Sequence, residues 1–103
     1  MARHTPLLTE AELSAFLAAH PGWRCEGQQL RRTYDLPTFL AGIAFVQRVA
    51  EVAEREDHHP DIDIRWRKVT LTLTTHDAGG LTARDPRVAV EADRLYAEVT
   101  QSG

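Results

Sequence analysis

Three histidines and one carboxylate in this sequence have the residue types needed for acid–base chemistry. His58 and His59 are adjacent, Glu54 precedes His58 by about one helical turn, and His76 follows later in the chain. Imidazole titrates nearest neutral pH of the unperturbed side chains, so paired histidines can act as general acid and general base. Removal of water needs those two roles and requires no nucleophile, metal or redox cofactor. These residues therefore indicate a dehydration-type site.

Spacing alone leaves two other interpretations open. A His-His-Pro segment ending at Pro60 is also typical of a solvated loop that ends a helix. Three histidines and a carboxylate could hold zinc, but the sequence has no HExxH motif and no cysteine pair, and adjacent histidines rarely reach one ion together. We predict neither a metal nor a cofactor.

Length and composition predict a single folded domain over residues 1–103. The chain is 43% apolar and 26% charged, which is ordinary for a folded protein. The single cysteine, Cys25, suits a reducing compartment, and no signal segment or membrane span is evident. A net charge of −3 with scattered basic residues argues against direct nucleic-acid binding. We expect a cytoplasmic protein that contacts neither membrane nor nucleic acid.

The first third of the chain predicts a helix followed by a hairpin. Thr9 and Glu12 form a capping-box pattern, and apolar residues recur at helical spacing until His20. Two short extended runs then follow, over 23–26 and 29–34, with Gly27 and Gln28 as the turn between them.

A second helix is predicted from about Pro37 to Asp57, with Asp35 as its N-cap. Its apolar residues form two stripes about 100° apart. The first stripe is Phe39, Ile43, Val46, Ala50 and Ala53, and the second is Phe45, Val49 and Val52. This arc is wider than one small sheet can cover. It therefore favours a subunit interface over a deeply buried helix.

The last third predicts a second hairpin and a third helix. Residues 62–66 and 69–76 alternate in polarity, which places His76 on the threonine-rich polar face of a strand. The helix begins either at a Thr82–Asp85 capping box or with Asp85 as cap and Pro86 first. The predicted fold is α+β: helix, hairpin, helix, hairpin, helix, with three helices packed on one face of a four-stranded antiparallel sheet.

Several sequence runs, with their spacing, resemble the signature of the pterin-4a-carbinolamine dehydratases. They are Glu54 to Pro60, Lys68 and Val69, Thr75 to Asp77, and Gly80 to Asp85. Gly22, Trp23 and the second-helix pattern extend the resemblance over nearly the whole chain. The family has the same order of elements, and its members form dimers or dimers of dimers.

The resemblance implies an activity and a set of site residues. The activity is removal of water from 4a-hydroxytetrahydropterin to give quinonoid dihydropterin, in the recycling of tetrahydrobiopterin after an aromatic amino acid hydroxylase has used it. His58 and His76 match the family's acid and base, His59 the histidine that chiefly holds the pterin, and Glu54 the supporting carboxylate. The substrate-binding positions implied are His59, Pro60, Trp23, Arg84, Thr75 and Asp77. Trp23 could instead belong only to the core, and Arg84 only to the helix start.

The resemblance also suggests partners, alternatives and one notable departure. The expected partners are a pterin, further copies in a homodimer or homotetramer, and an aromatic amino acid hydroxylase. A non-catalytic interaction module is the second hypothesis, because animal members also act as dimerisation partners of a transcription factor. Trp66 stands where the family usually has tyrosine, and we expect its indole to reshape an edge of the pocket.

Overall fold

The computed structural model describes residues 6–101 and confirms the α+β plan. The elements are α1 (Glu10–Ala19), β1 (Arg24–Glu26), β2 (Gln29–Asp35), α2 (Phe39–Glu56), β3 (Asp61–Arg65), β4 (Lys68–Leu73), a 3₁₀ turn (His76–Ala78) and α3 (Arg84–Gln101). The four strands form one antiparallel sheet in the order β1-β2-β4-β3. The apolar core lies between this sheet and the helices.

Local sequence signals explain α1 and the first hairpin. The Thr9 hydroxyl accepts from the Glu12 amide, and the Glu12 carboxylate accepts from the Thr9 amide, so the predicted capping box is confirmed. Gly27 has φ 62°, a left-handed conformation that glycine adopts without strain, in the turn between β1 and β2.

The predicted N-cap of α2 is wrong. Asp35 is still paired with Lys68 in the sheet, and the chain continues through the fully buried Leu36 before the helix begins. Thr38 is the cap, and its hydroxyl accepts from the Ala41 amide at 3.0 Å. Asp35, two residues before Pro37, has the same N-cap preference as Thr38, so the sequence pattern favoured the wrong residue.

The two apolar stripes of α2 differ in burial. Phe45, Val49 and Val52 are buried against the sheet, whereas Phe39 is 54% exposed and Ile43 is 37% exposed. The second stripe therefore builds the core, and most of the first is left uncovered by this chain. The association of several copies stays a prediction.

Trp66 lies far from the position expected for a pocket edge. It is 84% exposed and has φ 56° in the turn between β3 and β4. Pro60 precedes the opposite end of β3, and six extended residues span about 20 Å. Within one chain, Trp66 therefore does not approach Pro60, and its effect on a pocket edge stays a prediction.

The carboxylate of Asp93, on α3, joins this helix to β2 and to the loop before β1. It accepts from Trp23 Nε1 at 3.0 Å, from Arg32 Nη1 at 2.8 Å and from the Tyr34 hydroxyl. Burial raises the pKa of the Tyr34 phenol above its usual range, and the hydrogen bond to Asp93 raises it further. No sequence pattern predicted this cluster, because Asp93 is far from its other members in the chain.

Candidate active site

The end of α2 sets the position of the histidine pair. Asp57 adopts the left-handed conformation, with φ 52°, and its amide donates to carbonyls of the preceding turn. The His58 amide donates to the Ala53 carbonyl at 3.0 Å. The helix therefore ends by this capping turn, before Pro60 could end it, and the chain turns so that His58 points inward.

His58 is paired with a buried carboxylate that lies 27 residues away in the sequence. Its Nε2 is 2.6 Å from Asp85 Oδ1, and the exposed fractions of the two side chains are 8% and 0%. Asp85 was predicted as part of a helix start. It does contact Thr82 as a capping box would, but it lies inside α3, so the alternative with Asp85 as cap and Pro86 first is wrong.

Two threonines complete the surroundings of Asp85. Its Oδ2 accepts from the Thr75 hydroxyl and from the Thr82 amide, each at 2.9 Å. The two threonine hydroxyls are 2.8 Å apart, and the Thr82 hydroxyl also accepts from the Arg84 amide at 3.3 Å. Because the Thr75 proton is directed to Asp85, Thr82 must donate to Thr75. Every proton in this buried network is then accounted for.

This network determines which nitrogen of His58 carries a proton. A carboxylate can only accept hydrogen bonds, so His58 donates to Asp85 from Nε2. The other nitrogen, Nδ1, makes no hydrogen bond to any residue within 6–101. Nδ1 is therefore the nitrogen that can accept a proton from a bound molecule, or donate one when the ring is charged.

His59 is paired with Glu54 in a different environment. His59 Nε2 is 2.6 Å from Glu54 Oε2, and the side chains are 54% and 80% exposed. The sequence placed Glu54 one turn before His58, but the carboxylate turns to His59. An exposed pair of this kind adds little stability but can orient the ring.

His76 lies on the rim of an open depression of about 390 Å³, which we call the His76 depression. Its wall includes Glu26, Gln28, Gln29, Thr74, His76 and Gly80. The imidazole makes no hydrogen bond within the described part of the chain. The prediction that His76 lies on a strand is wrong, because β4 ends at Leu73 and His76 begins a 3₁₀ turn, whereas Thr75 is buried beside Asp85. Two hydrogen bonds thus connect the His58 ring to the residue before His76, without direct contact between the rings.

The remaining predicted site residues, except Trp23, lie next in sequence to His59, His76 or Asp85. Arg84 Nη2 donates to the Asp57 carbonyl at 2.7 Å and so ties α3 to the segment before the histidines. Pro60 is half-buried after His59, and Asp77 is exposed beside His76. Trp23 is 3% exposed in the core and bound to Asp93, which matches its core alternative.

The described residues contain neither a metal-type ligand cluster nor a membrane-spanning helix. Over residues 6–101, no three His, Cys, Asp or Glu side chains are grouped as the ligands of one metal ion would be. No helix in that range is both long and apolar enough to cross a membrane.

A buried histidine–carboxylate pair on a small α+β fold is typical of acid–base enzymes, and comparison with known proteins narrows the class. A sequence model of the family described as pterin 4 alpha carbinolamine dehydratase matches residues 6–95. The chain belongs to this family of hydro-lyases, as the resemblance predicted.

Individual relatives cover nearly the same residues. A protein of Roseiflexus sp. (strain RS-1), provisionally named pterin-4-alpha-carbinolamine dehydratase, is 53% identical over 85% of this chain and 95% of its own. A relative with the same provisional name from Mycolicibacterium smegmatis is 50% identical over 89% and 98%.

Solved structures share the fold. A transcriptional coactivator/pterin dehydratase from Brucella melitensis has a TM-score of 0.84 and 30% identity, over 88% of this chain and 99% of its own. A pterin dehydratase-like protein identified as a RuBisCO assembly factor in the alpha-carboxysome has a TM-score of 0.64 and 24% identity, over 75% and 92%. At that identity, the second likeness concerns the fold alone.

Proposed function

We propose that this protein removes water from 4a-hydroxytetrahydropterin and releases quinonoid dihydropterin. Family membership supports the reaction class. The observation that carries the proposal is the buried Asp85–His58 pair, which leaves one nitrogen of His58 available for proton transfer. A structural histidine would need only a satisfied hydrogen bond, whereas an acid–base group also needs a defined tautomer.

The chemistry requires two proton movements. The substrate carries a hydroxyl on the carbon next to a ring nitrogen, and loss of water forms a carbon–nitrogen double bond. One group protonates the leaving hydroxyl, and another removes the proton from the ring nitrogen. His58, through Nδ1, and His76 divide these roles, and protons returned through solvent restore both rings. No bound metal or cofactor takes part.

Binding is assigned to the more exposed groups. His59, oriented by Glu54, holds the pterin, with Pro60, Asp77 and Arg84 around it. Thr75 acts through Asp85, and Arg84 acts by holding the segment that carries the histidines. Trp23 supports this region through the core.

The cellular role that fits this reaction is recycling of tetrahydrobiopterin in the cytoplasm, after an aromatic amino acid hydroxylase has used it. Association into a dimer or tetramer would cover the exposed residues Phe39, Leu40 and Ile43 of α2, which are 54%, 75% and 37% exposed.

The direct test is a dehydration assay with synthetic 4a-hydroxytetrahydropterin. The parent is compared with His58→Ala, His76→Ala and His59→Ala, and with His20→Ala as a control histidine at the end of α1. We expect the first two to lower kcat by about 100-fold or more, since general acid–base groups contribute that much. His59→Ala should chiefly raise KM, and His20→Ala should change neither.

Two results would contradict the proposal. One is equal rates for the parent and all three site variants. The other is a rate that disappears with a chelator and returns with added metal, which would favour the zinc interpretation of the same histidines.

A further inference from the structure

The β1–β2 turn forms a wall of the His76 depression. Gly27 and Gln28 make the turn, and Glu26 and Gln29 flank it. The depression measures about 390 Å³, within the size range of small-molecule sites. Because His76 shares this wall, a molecule that reaches the His76 ring is within reach of the turn.

The turn is held in a fixed position against the segment that carries His76. The Thr74 hydroxyl donates to the Gln28 carbonyl at 2.8 Å. On either side of the turn that begins at His76, Thr75 and Gly80 pair through backbone hydrogen bonds. The backbone on both sides of the depression is thus tied together, and this favours a preformed site over a mobile loop.

The Gln28 amide has room in this wall because residue 80 is glycine. A Cβ at Gly80 would lie 3.3 Å from Gln28 Oε1 and 3.3 Å from Leu7 Cδ2, closer than most real contacts of that kind. Within residues 6–101, the amide of Gln28 makes no side-chain hydrogen bond. Its donor and acceptor groups are therefore both available to a ligand.

The chemistry of the wall selects the kind of group that fits. Glu26 is already paired with Arg24 and Arg31. The polar groups left to bind a ligand are therefore the side-chain amides of Gln28 and Gln29 and the imidazole of His76. Apart from the imidazole of His76, none of the described residues that line the wall carries an aromatic ring on which a fused heterocycle could stack. Amides beside an open depression suit hydroxyl groups, which donate and accept at the same atom.

We propose that Gln28 is a specificity-determining residue that hydrogen-bonds a hydroxylated substituent of the pterin whose reacting centre lies at His76. The inference rests on the proposed function, since it takes the pterin ring as bound at the histidines. It assigns the turn to the side chain of the substrate and leaves the ring to His58 and His59.

The test compares two substrates on one set of variants. The substrates are 4a-hydroxytetrahydropterins that carry either a dihydroxypropyl or a methyl substituent. For Gln28→Ala we expect kcat/KM to fall about three- to tenfold with the hydroxylated substrate, the value of one neutral hydrogen bond. With the methyl substrate, it should stay within about twofold, because that substituent makes no such bond. Gln101→Ala, at the exposed end of α3, is the matched control.

A second variant tests the same contact without removing it. Gly80→Ala leaves Gln28 in the sequence but pushes its amide aside, so we expect the same selective loss at a smaller size. Equal losses on both substrates, or none on either, would overturn the inference while leaving the dehydratase function intact. A parent that is inactive on both substrates would overturn the proposed function and the inference with it.

Discussion

Of the three histidine–carboxylate pairs within residues 6–101, two have the same separation but unequal surroundings, while His20 and Asp93 are further apart, at 3.4 Å. His58 and Asp85 are 2.6 Å apart and almost fully buried, whereas His59 and Glu54 are also 2.6 Å apart but largely exposed. Water competes for the exposed pair, and the dielectric around it is high. Distance alone therefore says little about what a pair contributes. Burial makes one pair a fixed part of the fold and leaves the other adjustable.

The sharpest way to separate the pairs is to change each carboxylate to its amide and measure turnover. In Asp85→Asn, the amide oxygen would remain with Thr75 and Thr82, so the NH₂ group would face His58 Nε2. That nitrogen must then accept, which moves the ring proton to Nδ1 and removes the proposed base. We expect kcat to fall about 100-fold or more in the dehydration assay.

Glu54→Gln is the matched change in the exposed pair. His59 can rotate or exchange its tautomer in water, so kcat should stay within a few-fold of the parent. Similar losses of kcat in the two variants would mean that burial does not distinguish the pairs.

The two carboxylates should also differ in their contribution to stability. Asp85→Ala leaves Thr75, the Thr82 amide and His58 without their buried acceptor, and we expect a loss of about 3 kcal/mol in the free energy of unfolding. Urea denaturation at pH 7 measures this change. Glu54→Ala is the control, and a comparable loss there would contradict the burial argument.

Periodicity and capping rules predicted the element order, both hairpins and the α1 capping box, because these depend on residues close together in sequence. The His58–Asp85 pair could not be predicted in this way. Its partners are 27 residues apart, and the local Thr82–Asp85 pattern accounted for the aspartate already. The same limit applies to Glu54, since the left-handed turn at Asp57 decides which histidine it reaches.

Asp93 is a third carboxylate, of intermediate exposure, and its partner Tyr34 gives it a signature at high pH. Burial raises the folded-state pKa of Tyr34 above the unfolded value of about 10. The resulting stability is therefore complete below pH 10 and is lost as the pH rises further. We expect the unfolding free energy to fall by up to about 1.4 kcal/mol per pH unit there.

Tyr34→Phe isolates this contribution. The variant loses the titrating phenol, so its unfolding free energy should change less steeply above pH 10 than that of the parent. Identical slopes in denaturant titrations at pH 9 to 11 would contradict the assignment.

The smallest expected effect is that of salt on the exposed pair. In 1 M NaCl the screening length is about 3 Å, so any contribution from Glu54 and His59 should largely disappear. The difference in stability between the parent and Glu54→Gln, below about 1 kcal/mol at low salt, should shrink toward zero. The difference in stability between the parent and Asp85→Ala should not shrink, because that carboxylate is buried. Unfolding curves at low salt and in 1 M NaCl measure both differences.

Thr75 and His76 are neighbours in the chain but belong to different surroundings. Thr75 is one of the donors that fix Asp85, and His76 faces the open depression. A shift of this single peptide unit would alter both the buried network and the surface that meets the substrate. Substitutions at His58 and His76 should therefore not act independently: a double-mutant cycle is expected to show a coupling energy, although the two rings share no contact.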